Sequence, residues 1–388
     1  MFSRRTDWRL TINRFTEAQR ELERSGGELL DLTVSNPTRA QLDYDAVSIR
    51  AALSNSQVMD YDPQPRGLVS ARSAVAGYYR EKNADVPPES VVLTTSTSEG
   101  YSYVLRLLCN AEDEILVPKP SYPLFEFLAE LQDVKLLPYT LVYDHGWQID
   151  FPSLDKAVTS RTRAVVLVNP NNPTGSYVSS PEREMLNQFC HQHDLSLLVD
   201  EVFLDYARDG MGRPSFVANR ETLTFTLSGL SKICGLPQMK FAWIVTSGPA
   251  EKTNSALDRL EVIADTYLSM SAPIQLAAPT LLAQRKRFQP RLMDRVRTNL
   301  QELDRQLATQ KSCRRLDVEA GWYAVVRVPA TQSDEDLAIE MIRRASVLVH
   351  PGHFYDFPSD GHLILSLITP PSDFQEGCRR LLDLLHQK

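Results

Sequence analysis

Cysteine is scarce in this 388-residue chain. The five residues, Cys109, Cys190, Cys234, Cys313 and Cys378, form no C-x-x-C pair, show no zinc-ligand spacing and are odd in number. That excludes a disulfide scaffold and a zinc ribbon, and it fits reduced thiols in a cytosol. Long apolar runs are missing too: none reaches membrane-spanning length, and the first residues, Met1-Phe-Ser-Arg-Arg-Thr-Asp-Trp8, lack the apolar stretch of a signal peptide. The expectation is a cytoplasmic protein with no membrane partner. Positive charge is not in excess either; the net charge of -7 argues against a nucleic-acid partner. No internal repeat, low-complexity tract or Gly/Ser linker occurs. What is present is ordinary globular composition, 43% hydrophobic and 23% charged, on a chain long enough for two packed domains.

The middle of the chain alternates short apolar runs with helical patterns. Strands are expected at residues 91–94, 114–117, 134–137, 164–169, 195–200, 223–227 and 241–245. Helices are expected at 99–109 and 181–193, the second capped by Ser180 with Pro181 at its first position. This alternation predicts an α/β fold with a mainly parallel sheet, whose ligands sit at the carboxyl ends of the strands. Residues 273–307 read as a long charged helix or helix pair interrupted at Pro290, with 285–287 as a solvated face. A second α/β region follows: strands at 321–328 and 363–367, helices at 333–344 and 374–385. The first 44 residues lack a core of their own and are expected to join this C-terminal part. The predicted division is a large domain at 45–285 and a smaller one built from 1–44 and 286–388.

Four strand-end segments carry the chemistry. Thr94-Thr-Ser-Thr-Ser-Glu-Gly100 contains a capping box, Ser96-x-x-Glu99, which opens a helix whose N-terminus can hold an anion. Asn169-Pro-Asn-Asn-Pro-Thr-Gly175 is dense in turn residues and follows a buried strand. In Val199-Asp-Glu-Val-Phe203, Asp200 ends an apolar strand and needs a cationic partner. Leu227-Ser-Gly-Leu-Ser-Lys-Ile-Cys-Gly-Leu-Pro-Gln-Met-Lys240 places Lys232 among small residues after another strand. Singly, each reads equally as a helix cap, a structural turn, a core ion pair or a solvated lysine.

In order and spacing the four resemble the fold-type I pyridoxal-phosphate enzymes, specifically the class I/II aminotransferase family. The similarity extends to Tyr61-x-x-x-x-Arg-Gly67 and to Asp113-Glu-Ile-Leu-Val-Pro-Lys-Pro-Ser-Tyr122. The resemblance implies that Lys232 carries pyridoxal 5'-phosphate as a Schiff base and moves the substrate's α proton. It implies that Asp200 pairs with the pyridinium nitrogen, Asn172 bonds the ring's phenolic oxygen and Tyr122 stacks on the ring. Ser96, Thr97 and Ser98 would hold the phosphate, completed by Ser231 and Lys240. Tyr61 matches a tyrosine that reaches the phosphate from a partner subunit, which implies a homodimer with shared active sites. The activity implied is a ping-pong exchange of an amino group between an amino acid and a 2-oxo acid. A C–S lyase, a decarboxylase or a cyclase is the alternative on the same fold.

Three departures from the family pattern stand out. Phe203 replaces a tyrosine that shares the cofactor oxygen with the asparagine. Lys240 replaces an arginine on the phosphate, a point charge in place of a fork. Ile364 stands where an arginine clamps the substrate carboxylate, and an aliphatic group cannot do that. Arg39, in Ser35-Asn-Pro-Thr-Arg39, is the candidate replacement, with Asn36 in the substrate loop and Arg66 as a weaker alternative. His350, His353 and His362 lack a metal-ligand spacing and are expected, with Tyr355, to line the substrate entrance. The segment Tyr267-Leu-Ser-Met-Ser-Ala-Pro273 carries no charge, which favours a small or apolar substrate.

Overall fold

The computed structural model describes residues 1–8, 10–123 and 125–386. Its larger sheet has eight strands: β1 (Val91–Thr94), β2 (Glu114–Lys119), β3 (Lys135–Tyr143), β4 (Trp147–Ile149), β5 (Thr162–Val168), β6 (Ser196–Asp200), β7 (Thr224–Gly229) and β8 (Ala242–Ser247). They lie in the order β1-β8-β7-β6-β5-β2-β3-β4. From β7 across to β3 every pairing is parallel; β8 runs against both β1 and β7, and β4 runs against β3.

The central strands are apolar throughout because both of their faces are covered. Alternate residues go to opposite sides. Ala164, Val166 and Leu198 pack under the helices Thr97–Leu108 and Ala250–Thr266, while Val165, Leu167, Leu197 and Val199 pack against Leu186, Phe189 and Cys190 of the helix Ser180–His193. That last helix begins one residue earlier than expected. Ser179 is its N-cap, in a reciprocal capping box with Glu182.

Three other expectations shift. β3 continues to Tyr143 and turns into β4, because the alternation that starts at Lys135 runs on past Pro138. The charged helical region is two helices, Ala272–Ala283 and Arg285–Leu307, and they break at Gln284 and not at Pro290. Pro290 is the sixth residue of the second helix, where its missing N–H removes a single bond close to the end. Nor is Arg285 solvated: it is buried, donates to the Leu282 carbonyl (2.7 Å) and pairs with Glu81 (2.5 Å).

A second, antiparallel sheet comprises β9 (Arg314–Arg315), β10 (Tyr323–Arg327), β11 (His350–Pro351) and β12 (His362–Ser366), in the order β9-β10-β12-β11. It shares one core with the helices Arg285–Leu307 and Pro371–His386. Phe15, Ala18, Leu32 and Ala40 enter that core, and Leu30–Asp31 pairs in parallel with Val347–Leu348. The extreme N-terminus departs from it: Trp8 donates to Glu130 and sets its ring edge-on to Phe127, and Arg5 pairs with Asp133. Among the described residues no helix is long and apolar enough to cross a membrane.

Candidate active site

The ends of β1, β5, β6 and β7 open on one edge of the large sheet. Lys232 stands just past β7, in the short helix Leu230–Ile233. Gly229 before it has no room for a side chain, because a Cβ there would press on Ala242 and the Phe241 carbonyl. The Lys232 ammonium lies 3.5 Å from the Ser35 carbonyl, 4.9 Å from the Trp322 ring and 5.6 Å from the Phe203 ring. Burial pulls its pKa down to about 8, against the attraction of Asp200. The Lys232 backbone carbonyl accepts from Tyr206, so the turn that carries the amine is itself held.

Asp200 closes β6. Burial pushes its carboxyl up to about 6, opposed by the Val202 N–H on Oδ1 (3.0 Å), by Tyr101 on Oδ2 (3.2 Å) and by the charge of Lys232. The acid is therefore placed and oriented, but it lacks a cation strong enough to offset its burial. Its neighbour Glu201 points the other way. It accepts from the Ser215 hydroxyl and from the Phe216 N–H (2.7 Å) in the core behind the site.

The loop after β5 is held by Asn171. Its Oδ1 accepts from Ser121 (2.8 Å), and its amide donates to the Pro120 carbonyl (3.0 Å) and Thr174 (2.9 Å). At Gly175 φ is +71°, and a side chain would collide with Val318 and the Ala320 carbonyl, so only glycine closes this loop against the segment between β9 and β10. The fixed loop presents Asn172, which is buried with its Oδ1 unpartnered. A buried amide oxygen without a donor costs free energy unless a ligand or water supplies one.

The helix Thr97–Leu108 starts at the same edge. Ser96 is the N-cap, its hydroxyl accepting from the Glu99 N–H (3.1 Å), and Glu99 reaches back to the Thr95 N–H (2.6 Å). The capping reading of Ser96 is thus realised, and by position the N–H groups of Thr97 and Ser98 are left for an anion.

These placements reproduce the order of a known family. Residues 26–381 match the model of aminotransferase class I and II. The chain belongs to that family. The glutamate-pyruvate aminotransferase AlaA of Escherichia coli K12 is 30% identical over 268 residues, covering 69% of this chain and 66% of that one. The protein of that name from Haemophilus influenzae is 26% identical, covering 94% and 92%, and the alanine aminotransferase of Mycobacterium tuberculosis H37Rv is 26% identical, covering 94% and 87%. The fold is shared with an alanine aminotransferase from Pyrococcus furiosus (TM-score 0.91, 21% identity, both chains covered in full) and with a Thermus thermophilus aspartate aminotransferase mutant (TM-score 0.86, 21% identity, covering 99% and 100%).

The remaining candidates of this aminotransferase are less closely gathered. Tyr122 is 42% exposed and meets Phe125 edge-on. Ser231 is partly buried beside Lys232, and Lys240 is exposed in the left-handed region, φ +48°. Tyr61 is 74% exposed. Asn36 caps a short turn, accepting from the Thr38 N–H (3.0 Å), and Arg39, exposed, ends that turn with no ion pair among the described residues. Arg66 is already engaged: it pairs with Glu261 and Asp258 and is not available as a clamp. Ile364 is wholly buried.

His362 is not an entrance residue, contrary to the expectation from its position near Tyr355. It is buried in β12, stacked on Phe357, with Nδ1 3.0 Å from the Ser359 carbonyl. Tyr101, Asn171, Tyr206 and Trp322 were not evident from sequence. Only Tyr101 left a trace, five residues after Ser96 on the buried side of the helix that begins there.

Proposed function

We propose that this aminotransferase uses pyridoxal 5'-phosphate to pass an amino group between a small or apolar amino acid and a 2-oxo acid in a ping-pong cycle. The observation that carries the reading is the convergence of Lys232, Asp200 and Asn172 on one edge, with Asn172 buried and its Oδ1 without a donor among the described residues. The donor set fits the cofactor at each end: a buried acid for the ring nitrogen, an amide for the phenolic oxygen, helix N–H groups for the phosphate and an amine for the aldehyde. When bound, the cofactor supplies a carbonyl for amine exchange and an electron sink for the substrate's α carbanion. The names of the relatives, alanine and glutamate-pyruvate aminotransferases, support a small amino acid as one partner.

The chain's own residues divide the labour. Lys232, with its pKa near 8, exists partly as a free amine at neutral pH and takes the proton from the substrate's α carbon. Asp200 keeps the ring nitrogen protonated, and that positive charge relieves its own burial. Asn172 holds the phenolic oxygen alone, because Phe203 has no hydroxyl to share it. Tyr122 covers the ring. Ser96, Thr97, Ser98, Ser231 and Lys240 serve the phosphate. Tyr61, exposed as Met59 and Val47 are, reaches the site of a second copy in a homodimer. Asn36 and Arg39 face the substrate. The large domain at 45–285 carries the cofactor, with 1–44 and 286–388 as the smaller domain.

Two measurements test the reading. Holoenzyme mixed with a single amino acid and no 2-oxo acid is expected to release one 2-oxo acid per site and no ammonia. Continued ammonia release would instead mark a lyase. Arg39→Ala is expected to raise KM for the amino donor about ten-fold, the range of one charge-assisted hydrogen bond, with kcat little changed; an unaltered KM removes Arg39 from the substrate site.

A further inference from the structure

The face of the small sheet turned toward Lys232 carries phenols where a guanidinium clamp is absent. Residues in register on antiparallel strands share a face. Tyr323 therefore lies opposite Ser366, and Val325, Ile364 and His350 form the adjoining row. Ser366 locates this face: its hydroxyl donates to the Val34 carbonyl (2.5 Å), and the next carbonyl, that of Ser35, is the one beside the Lys232 ammonium. Phe203 links the face to the amine, its ring 5.6 Å from that ammonium and 6.4 Å, edge-on, from the Tyr323 ring.

Two hydroxyls project here. The Tyr355 Oη is 3.1 Å from His350 Nδ1, and the Tyr355 carbonyl accepts from the Ser121 N–H (2.9 Å), which fastens it next to Tyr122. Tyr323 is buried, yet its hydroxyl has no hydrogen bond among the described residues. Tyr355 lies within electrostatic reach of Tyr323 and Tyr122, Tyr323 within reach of Tyr122, and Tyr122 within reach of Asp200. The phenols thus border the recess that holds Asp200 and Lys232.

We propose that Tyr355 and Tyr323 form a neutral clamp for the substrate's α-carboxylate, with His350 as the positioning residue of Tyr355. This rests on the transaminase reading above. A carboxylate only accepts hydrogen bonds, through two oxygens, and the two phenols offer two donors. If His350 Nδ1–H donates to Tyr355, the phenol's own O–H is left free to donate onward, and the chain of two bonds strengthens the second. Ile364, between these groups, excludes water and carries no charge. Arg39, at the exposed rim, supplies charge while the phenols supply direction. A neutral clamp holds a carboxylate less tightly than a bidentate arginine.

The test compares two amines that differ only by the carboxylate. Holoenzyme is titrated with 2-aminoisobutyrate, which has no α proton to lose, and with isopropylamine, each followed by the cofactor's visible absorption band. Tyr355→Phe and Tyr323→Phe keep the ring and hence the packing, which melting curves verify. Each is expected to weaken 2-aminoisobutyrate about ten-fold and to leave isopropylamine within about two-fold. His350→Leu is expected to copy Tyr355→Phe, whereas His350→Gln, whose amide can donate to the same oxygen, retains most of the affinity. Equal losses for both amines, or no loss in either tyrosine variant, overturn the clamp. A wild-type band that answers to neither amine also overturns the clamp, whereas protein that takes up no pyridoxal 5'-phosphate and shows no such band would bring down the cofactor reading itself.

Discussion

The two walls of the site are built on opposite principles. On the large sheet, the groups that frame the site are held by their neighbours before any ligand arrives, Asp200 by two hydrogen bonds, the Asn171 side chain by three partners and Ser96 by its helix, with the Asn172 Oδ1 left open between them. On the small sheet, the corresponding wall is apolar and aromatic. Ile364 is buried, the Tyr323 hydroxyl has no hydrogen bond among the described residues, and Arg39, on the turn beside this wall's N-terminal segment, is exposed. The first wall suits a ligand of constant shape, since preorganised dipoles cost no rearrangement when it binds. The second leaves its hydrogen bonds to be completed by whatever enters. On the function proposed above, the cofactor side is thus preorganised, and substrate choice falls to the side with spare donors.

The sharpest way to break this contrast is at Asp200. Asp200→Asn keeps the shape and the Val202 contact but removes the charge. We expect kcat to fall by about 10²-fold or more, the usual scale for losing a preorganised electrostatic partner, while KM for the amino acid changes little. A drop confined to KM would mean that Asp200 serves the substrate wall. The next effect is smaller. Lys240→Ala removes an exposed point charge and is expected to raise the cofactor dissociation constant about ten-fold, measured by equilibrium dialysis. An unchanged constant would leave the helix N-terminus and the serine hydroxyls as sufficient for the phosphate.

The same contrast governs what was legible in the sequence. The large-sheet wall comes from contiguous segments that follow apolar strands, so Lys232, Asp200, Asn172 and Ser96 could be assigned to strand ends from periodicity and turn residues alone. The small-sheet wall is assembled by register between strands far apart in the chain. His350 meets Ile364, and Tyr323 meets Ser366, through pairings that no local pattern announces. Local patterns also misplaced features decided by tertiary packing. The helix break fell at Gln284 because Pro290 is tolerated near a helix start, and Arg285 turns inward onto the Leu282 carbonyl and the Tyr78 ring. Trp322 and Tyr206 gave no signal, since aromatic residues near a strand read as core, and both are indeed buried.

The smallest expected effect separates the site from the core that supports it. Asp200 and Glu201 are consecutive carboxylates at one strand end, the first turned to the site and the second to the Ser215 side of the core. Burial pushes the Glu201 carboxyl from its ordinary 4.5 up to about 7, against its hydrogen bonds from Ser215 and Phe216. Between those two values the folded protein retains a proton that the unfolded chain has released. Stability from this group is therefore fully present below about pH 4.5 and is lost as the pH rises through about 7. Glu201→Gln has no proton to lose and should flatten that slope. Melting temperatures from pH 5 to 7.5 at constant ionic strength are expected to decline more steeply in the wild type than in the variant, the excess corresponding to on the order of 2 kcal/mol of stability at the upper end. Activity should be nearly unchanged, the reverse of Asp200→Asn. Parallel melting curves would show that Glu201 is ionised in the core, and a large loss of activity would show that the carboxylate behind the strand helps to hold the one in front.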